Sequence, residues 1–271
     1  MAYKLVASDL DGTLLGVDSK LSKENLAAIE ALSHHGILFV PSTGRCFCEV
    51  PEVLRKSPAV RYYVTSNGAC TYDKVTNTTA LFSIGAKKLE EILAITEDYD
   101  VCYTAHRDMD AYFDHRLSEE DMMYYTIEER YRKLLREATR HLPNIHDFLA
   151  DDKTEMIVPF FHNMNERAEC LERLKRVDGI SLTASIHYNI EIISSQATKG
   201  NALLRLQDAL GIRKDECLAI GDSANDLTMF AAAGTTLATR DASPVLKEQA
   251  SEVICPWDEH VVEYALTHYP L

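Results

Sequence analysis

The chain has 271 residues, a length that allows either one large domain or two unequal ones. Hydrophobic residues make up 46% and charged residues 26%, a balance typical of a folded globular protein and against disorder as the default. The formal net charge of −14 argues against binding to nucleic acid or to an anionic membrane surface, because both need a basic face.

Cysteine usage and the start of the sequence indicate a cellular compartment. Seven cysteines are scattered along the chain without a C-x-x-C pair, which favours reduced thiols over a disulfide framework. The first residues have no signal-peptide layout, and no apolar stretch is long enough to cross a bilayer. We therefore expect a cytoplasmic protein.

The N-terminal third alternates between predicted strands and helices. An apolar run over 4–8 predicts a buried strand that ends at Asp9, and Ser22 is suited to cap the helix that follows. Two more buried strands are predicted over 37–40 and 62–65, and a hairpin over 71–82. Strands that alternate with helices predict a parallel sheet covered on both faces.

The pattern changes between residues 86 and 190 and then reverts. The mixed middle part is typical of a separate α+β domain, with predicted helices over 87–98, 118–139 and 165–177 and strands over 101–105, 156–161, 181–184 and 188–193. The alternation resumes after residue 200, with predicted helices over 201–210, 224–232 and 259–268 and strands over 217–220, 235–238 and 253–255. The middle part is therefore predicted to be an insertion into a doubly wound core.

Polar side chains follow the ends of four predicted core strands. They are Asp9 with Asp11, then Thr43, then Asn67, then Asp222. Ligands of open α/β sheets bind beyond the carboxyl ends of the strands, so these side chains are expected to converge on one pocket.

The acidic residues at these ends are suited to hold a metal ion and attack phosphorus. Close carboxylates repel one another unless a proton or a cation lies between them, and Mg²⁺ is the usual hard cation beside phosphates. With Asp222 completing the site, Asp9 could attack phosphorus and Asp11 could protonate the leaving oxygen. The alternative interpretation of the D-x-D-G-T segment is a strand followed by an ordinary Asx-turn.

Two further segments supply donors for an anion. Thr43 and Gly44 offer a hydroxyl and backbone N–H groups near a helix start, although Ser and Thr are also ordinary helix caps. Lys199 stands at a predicted helix start, where the helix dipole disfavours a cation. Its placement favours an anionic partner, Asp9 or a phosphate, over a plain exposed lysine.

Four segments in this order resemble the motifs of the haloacid dehalogenase superfamily, and specifically its Cof-type sugar-phosphatase branch. They are 9–14 (DLDGTL), 42–45 (STGR), 199–203 (KGNAL) and 221–226 (GDSAND). The resemblance implies an α/β fold with a Rossmann-like core over 1–83 and 192–271. An inserted α+β cap of type IIB, the C2B class, would occupy 84–191 and set substrate specificity.

The resemblance also implies roles for individual residues. Asp9 would be the nucleophile and Asp11 the general acid and base, and Mg²⁺ would be held by Asp9, Asp222 and the backbone carbonyl of Asp11. Asp226 would not bind the metal itself but would hold the residues that do. The phosphate-binding set would be Leu10, Thr43, Gly44, Lys199 and Asn225.

Candidates for substrate contact beyond these motifs rest on position alone. Arg45 follows the second motif and could equally form a structural ion pair. His187 and Asn189 lie in the predicted cap. His106 and His115 also lie there, and a core or solvated side chain is the simpler interpretation of all three histidines.

These inferences lead to one functional hypothesis with two alternatives. The chain would be a Mg²⁺-dependent phosphatase acting on small phosphorylated metabolites, with sugar phosphates leading and phosphorylated cofactors and their precursors next. The cap would close over the core, exclude water and select the leaving group. A phosphomutase is the nearest alternative, and a non-catalytic sensor of a phosphorylated ligand is another, although a sensor would not need to retain Asp9.

Overall fold

The structure is a computed structural model that describes residues 3–16, 19–114, 118–125, 127, 129–142, 144–184 and 186–270. The chain divides into two compact units. The first comprises Met1–Arg45, Val50–Ala80 and Thr198–Leu271, and the second comprises Cys46–Glu49 and Leu81–Ala197. The second unit is thus inserted into the first in sequence. It also includes the short segment Cys46–Glu49, which interrupts the first unit nearer the start of the chain.

The first stretch of the chain supplies strands and helices of the first unit. They are β1 (Leu5–Ser8), α1 (Lys23–His34), β2 (Leu38–Pro41), α2 (Glu52–Lys56), β3 (Tyr62–Thr65), β4 (Cys70–Asp73) and β5 (Thr78–Leu81). Ser22 caps α1 as predicted, since its side chain accepts the N–H of Asn25.

The middle stretch forms the second unit. Its elements are α3 (Ala86–Thr96), β6 (Val101–Arg107), β7 (Asp110–Asp114), α4 (Glu119–Tyr124), α5 (Glu129–Ala138), β8 (Thr139–Leu142), β9 (Thr154–Phe161), α6 (Met164–Leu174), β10 (Ile180–Thr183) and β11 (Glu191–Ser194). They build one sheet in the order β10-β11-β9-β6-β7-β8, antiparallel except for the pair β7 and β8. Residues of α3 and α6 pack with this sheet in one apolar core.

The last stretch returns to the first unit. Its elements are α7 (Lys199–Leu210), β12 (Cys217–Gly221), α8 (Leu227–Ala232), β13 (Thr235–Ala238), α9 (Pro244–Lys247), β14 (Glu252–Val253) and α10 (Val261–His268). Asn25 on α1 accepts the N–H of Val262 and so caps α10 across 237 residues of sequence.

The main sheet of the first unit is parallel and has the order β14-β13-β12-β1-β2. Its strands are largely buried, and residues of α7 and α8 share an apolar core with β1 and β12. The predicted α/β architecture, a parallel sheet with helices plus a separate second sheet, is therefore confirmed.

Two predicted elements differ from those observed. β3 meets β2 only through an isolated bridge between Ser42 and Val64, and its main partner is the antiparallel β4, because the chain turns back at once after Thr65. The single helix predicted over 118–139 was wrong. Its sequence forms α4, α5 and only the first residue of β8, and α4 ends just before Tyr125, which is buried and donates its hydroxyl to Asp100.

Among the described residues, no helix is both long enough and apolar enough to span a membrane.

Candidate active site

Adjacent parallel strands bring the predicted acidic residues to one edge of the main sheet. β1 pairs with β12 on one side and β2 on the other, so Asp9, Asp222 and Thr43 all follow strands that end at the same edge. Asp9 is 4% exposed, and its N–H donates to the carbonyl of Ile220 on β12. The sheet itself therefore fixes the backbone from which the Asp9 carboxylate extends.

Lys199 brings a cation into this edge from the start of α7. Thr198 caps the helix by accepting the N–H of Asn201, which makes Lys199 the first helical residue. Its ammonium lies 2.9 Å from Asp9 Oδ1 and 2.7 Å from Asp226 Oδ1, and the side chain is fully buried. Burial alone would lower the pKa of Lys199, but the carboxylates of Asp226 and Asp9 outweigh it and raise the pKa.

Three carboxylates, those of Asp9, Asp222 and Asp226, gather beside this lysine. One oxygen from each lies within 4.8 Å of the others. Burial, and then the nearby carboxylate of Asp226, raise the pKa of Asp222 to about 6. Burial and the Asp226 and Asp222 carboxylates also hold the pKa of Asp9 well above its ordinary range, although the Lys199 ammonium acts in the opposite direction.

The charges in this cluster match a divalent cation. Three ionised carboxylates and one ammonium leave two negative charges without compensation in a buried site, which is unfavourable unless a cation or protons are added. Both oxygens of Asp226 already have partners within the protein. Oδ1 accepts from Lys199, and Oδ2 accepts the N–H groups of Asp222 and Ser223. Asp9 and Asp222 are therefore the carboxylates that remain to hold a metal ion, and their oxygens are the hard ligands that Mg²⁺ prefers.

The Asp222 carboxylate is oriented by the loop that carries the first motif. Thr13 donates its hydroxyl to Asp222 Oδ1 at 2.9 Å. Gly12 lies so close that a Cβ there would be 2.6 Å from Asp222 Oδ2, and its φ of 77° also favours glycine. The threonine of the DLDGTL segment thus orients the Asp222 carboxylate, and the glycine leaves room for it.

Asp11 is paired with Arg45. The guanidinium donates from Nε to Asp11 Oδ2 at 2.7 Å and from Nη2 to Asp11 Oδ1 at 2.6 Å. Arg45 is largely buried, whereas half of the Asp11 side chain is exposed. Of the two interpretations offered for Arg45, the structure contains the ion pair, and the Asp11 carboxylate does not belong to the metal-compatible cluster.

The predicted phosphate-binding residues lie around the same edge. Thr43 Oγ1 accepts the N–H of Arg45 at 3.1 Å, which leaves the hydroxyl proton available to a ligand. Asn225 is half-buried in the loop after β12, where its Nδ2 donates to Asn67 Oδ1 at 3.2 Å. The N–H of Leu10, implied to contact phosphate, donates to Asp9 Oδ1 at 2.7 Å in this structure.

The two cap candidates belong to the second unit. His187 is exposed, whereas Asn189 is buried and its Oδ1 accepts the N–H of Ile186. The Asn189 side chain therefore stabilises its own turn, and its substrate contact stays a prediction. Of the two interpretations of His106, core or solvated, the structure contains the core side chain, and His115 lies outside the described residues.

Sequence reasoning gave no partner to three side chains at this site. Thr13 donates to Asp222, Ser223 donates to Asn225, and Asn67 accepts from Asn225. Thr13 and Ser223 stand inside the first and fourth motifs, and Asn67 was expected at this pocket, so the positions were marked and only the contacts were missed.

Comparison with known proteins gives the family. The family model described as haloacid dehalogenase-like hydrolase matches residues 6–266. The 5-amino-6-(5-phospho-D-ribitylamino)uracil phosphatase YwtE of Bacillus subtilis (strain 168) is 28% identical over 278 residues, covering 96% of this chain and 96% of the relative. The HMP-PP phosphatase of Serratia proteamaculans (strain 568) is 26% identical over 279 residues, covering 98% of this chain and 95% of the relative.

Solved structures agree in fold. A haloacid dehalogenase-like hydrolase from B. subtilis superposes with a TM-score of 0.83 at 26% identity, covering 98% of this chain and 99% of that one. The subclass IIB sugar phosphatase BT4131 gives a TM-score of 0.81 at 19% identity, with 98% of both chains covered. The chain therefore belongs to the haloacid dehalogenase-like hydrolases, in their Cof-type branch, and is a phosphatase.

Proposed function

We propose that this phosphatase depends on Mg²⁺ and hydrolyses small phosphorylated metabolites, with sugar phosphates as the leading class, through an aspartyl-phosphate formed on Asp9. The observation that carries the proposal is the buried Asp9 carboxylate, held at 2.9 Å by Lys199 and grouped with Asp222. A nucleophile needs a fixed position and nearby positive charge to approach an anionic phosphate. Lys199 supports the position, and its ammonium together with a bound metal ion would supply the charge.

The residues around Asp9 support a two-step transfer. In the first step an Asp9 oxygen forms a bond to phosphorus, the bond to the leaving oxygen breaks, and Asp11 gives that oxygen a proton. In the second step water forms a bond to phosphorus, the Asp9–phosphorus bond breaks, and Asp11 takes the proton from water. Lys199, Thr43, Gly44 and Asn225 would hold the phosphoryl oxygens.

The metal site would be formed by Asp9, Asp222 and the Asp11 backbone. A bound Mg²⁺ would supply positive charge that offsets the repulsion between the carboxylates and an anionic phosphate. Asp226 would act through its contacts, because it holds Lys199 and the N–H groups at the start of the fourth motif.

Arg45 bears on the acid and base role of Asp11. Both Asp11 oxygens accept from its guanidinium, so Asp11 has to give up one of these bonds to protonate a leaving group. A substrate oxygen or hydroxyl near Arg45 would favour that exchange, which keeps Arg45 as a proposed substrate contact. His187 and Asn189 remain weaker candidates for contact in the second unit.

The choice of substrate class draws on relatives. The names of the curated relatives describe phosphatases for a phosphorylated ribitylamino-uracil and for HMP-PP, and a structural neighbour is described as a sugar phosphatase. These are small phosphorylated molecules, which supports the same class here. A net charge of −14 also makes a nucleic acid or an anionic membrane an unsuitable partner.

A panel of phosphorylated metabolites assayed with and without Mg²⁺ tests the proposal. We expect Asp9→Asn to lower kcat by at least about 10³-fold, because removal of a catalytic nucleophile leaves only binding and electrostatic contributions. The exposed Asp241, changed to Asn, is the matched control and should keep the parent rate. Parent-like hydrolysis by the Asp9 variant would contradict the nucleophile assignment, and isomerised substrate with little released phosphate would indicate a mutase.

A further inference from the structure

The turn after β3 has an unfavourable backbone conformation inside the site. Ser66 and Asn67 have φ values of 50° and 53°, a left-handed conformation that residues with a Cβ rarely adopt. Two hydrogen bonds hold it: Ser66 N–H donates to the Arg45 carbonyl, and Asn67 N–H donates to the Thr43 carbonyl, both at 2.9 Å. The turn is therefore tied to the loop of the second motif, and such strain is typically found at functional sites.

The Asn67 carboxamide lies between two predicted phosphate-binding segments. Its side chain is 2% exposed and lies against Gly44, where an added Cβ would be 3.2 Å from Oδ1 and 3.3 Å from Nδ2. On its other side, Oδ1 accepts a hydrogen from Asn225 Nδ2. One buried amide thus contacts both the second and the fourth motif.

This contact fixes the orientation of Asn225. Ser223 donates its hydroxyl to Asn225 Oδ1 at 2.7 Å, and Asn67 accepts one of the two Nδ2 hydrogens at 3.2 Å. The oxygen and one N–H of the Asn225 carboxamide are thereby used within the protein. The remaining N–H of Asn225 is then the donor that can reach a phosphoryl oxygen.

We propose that Asn67 is a positioning residue for phosphoryl transfer, which holds the donor N–H of Asn225 toward the phosphoryl group at the Thr43–Gly44 loop. The inference rests on the proposed function. Asn67 would act through its neighbours: its side-chain oxygen accepts from Asn225 Nδ2, and its backbone N–H donates to the Thr43 carbonyl.

Substitution by glycine isolates the carboxamide from the backbone. Asn67→Gly removes the side chain but tolerates the left-handed turn. Asn77 is the matched control, because it has a φ of 54° and lies exposed between β4 and β5. We expect Asn67→Gly to lower kcat/KM for p-nitrophenyl phosphate at saturating Mg²⁺ by about 10- to 100-fold, in line with the cost of misplaced groups, and Asn77→Gly to leave it unchanged.

A double-mutant cycle separates positioning from general structure. In an Asn225→Ala background, Asn67→Gly should cost less than about 2-fold, because its target has been removed. Ser223→Ala, which loosens the other end of the Asn225 carboxamide, should show the same loss and the same dependence on Asn225. It serves as the test if Asn67→Gly does not fold.

The outcomes distinguish this inference from the proposed function. An equal loss with and without Asn225, or parent-like kcat/KM in both Asn67→Gly and Ser223→Ala, would overturn the positioning role alone. Calorimetric binding of inorganic phosphate gives a second readout and should weaken with the same pattern. A parent protein that neither hydrolyses p-nitrophenyl phosphate nor binds phosphate would overturn the proposed function and this inference together.

Discussion

Lys199 carries a positive charge to a position that solvent cannot reach. Its ammonium contacts Asp9 and Asp226, and both partners are buried as well. A buried ion pair is a weak source of stability compared with apolar packing, but removing one partner leaves the others without compensation. The residue is therefore expected to matter for folding as well as for phosphate binding.

Replacing Lys199 by Met should lower the free energy of unfolding by about 3–5 kcal/mol, the usual cost of breaking a buried ion pair. Urea titration with a chelator present measures this cost without help from a divalent cation. Lys23→Met, at an exposed position in α1, should change stability by less than about 0.5 kcal/mol.

The charge argument can be checked by removing a second charge. Lys199→Met combined with Asp226→Asn should regain part of the lost stability, because one unpaired buried carboxylate disappears. A double variant as unstable as the sum of the two single variants would show that packing of the lysine side chain, and not its charge, determines the cost.

The local sequence identified the charged residues of the site better than it identified their partners. Asp9, Asp222 and Lys199 each adjoin a strand end or a helix start, and an apolar run beside a polar residue is enough to find them. The partners of Arg45 and Asn225 are 34 and 158 residues away in sequence, so only the sheet order brings them into contact. An ion pair of Arg45 was one of two interpretations, without Asp11 named as its partner, and the Asn67–Asn225 bond was not predicted.

Strands β6 and β9 of the second unit contain a buried polar cluster at a bulge. His106 lies opposite Met156 and Arg107 opposite Thr154, so Glu155 is the extra residue on β9. Its buried carboxylate accepts the N–H of Met109, and His106 Nε2 lies 3.5 Å from Glu49 Oε2. That distance would allow an ion pair, but burial outweighs the Glu155 carboxylate and lowers the pKa of His106 to about 4.

Neutral His106 makes the stability of the protein depend on pH. The ordinary pKa of histidine is about 6.5, so between pH 6.5 and 4 the unfolded chain binds a proton that the folded chain does not. The contribution of neutral His106 to the free energy of unfolding is fully present above pH 6.5. It is lost as the pH falls toward 4, and the total loss is about 3 kcal/mol.

Urea unfolding at several pH values between 7 and 4 measures this loss. His106→Gln should show a smaller decline than the parent, and His141→Gln, at an exposed position in the same sheet, should show the parental decline. NMR titration of the parent gives a direct check, because the His106 ring should still be neutral at pH 5.5. A ring that protonates near pH 6.5 would contradict this account.

Element prediction was less complete in the second unit, for a physical reason. β6 and β7 are joined by Asp108 and Met109, both with positive φ, and Met109 stands where such a turn usually has glycine. The sequence before β7 therefore lacked the Asp-Gly or Asn-Gly pair of a hairpin, and of β8 only the first residue, Thr139, fell inside the long predicted helix. In the first unit, apolar runs ending in short polar loops predicted β1, β2, β12 and β13 with small errors at their ends.

At the scale of the whole molecule, acidic residues exceed basic ones by 42 to 28. A divalent cation will therefore accumulate weakly at many exposed positions, and its specific effect has to be separated from this background. The proposed site differs in being buried, and the cluster around Asp9 and Asp222 has two more negative charges than positive ones. Binding there should stabilise the folded chain by mass action, since the unfolded chain does not gather these carboxylates.

We expect MgCl2 at about 100 times its dissociation constant to raise Tm by roughly 5–10 °C over NaCl of equal ionic strength, because such binding contributes about 2.7 kcal/mol. Asp222→Asn should remove this increase and should also leave the metal-free protein at least as stable as the parent. The new side chain can still accept the Thr13 hydroxyl and relieves one repulsive charge in the cluster. Asp241→Asn removes an exposed charge of the same sign and should keep the full Mg²⁺ effect. An equal Mg²⁺ effect in all three proteins would assign the cation to the acidic surface and leave the Asp9–Asp222 site without a metal.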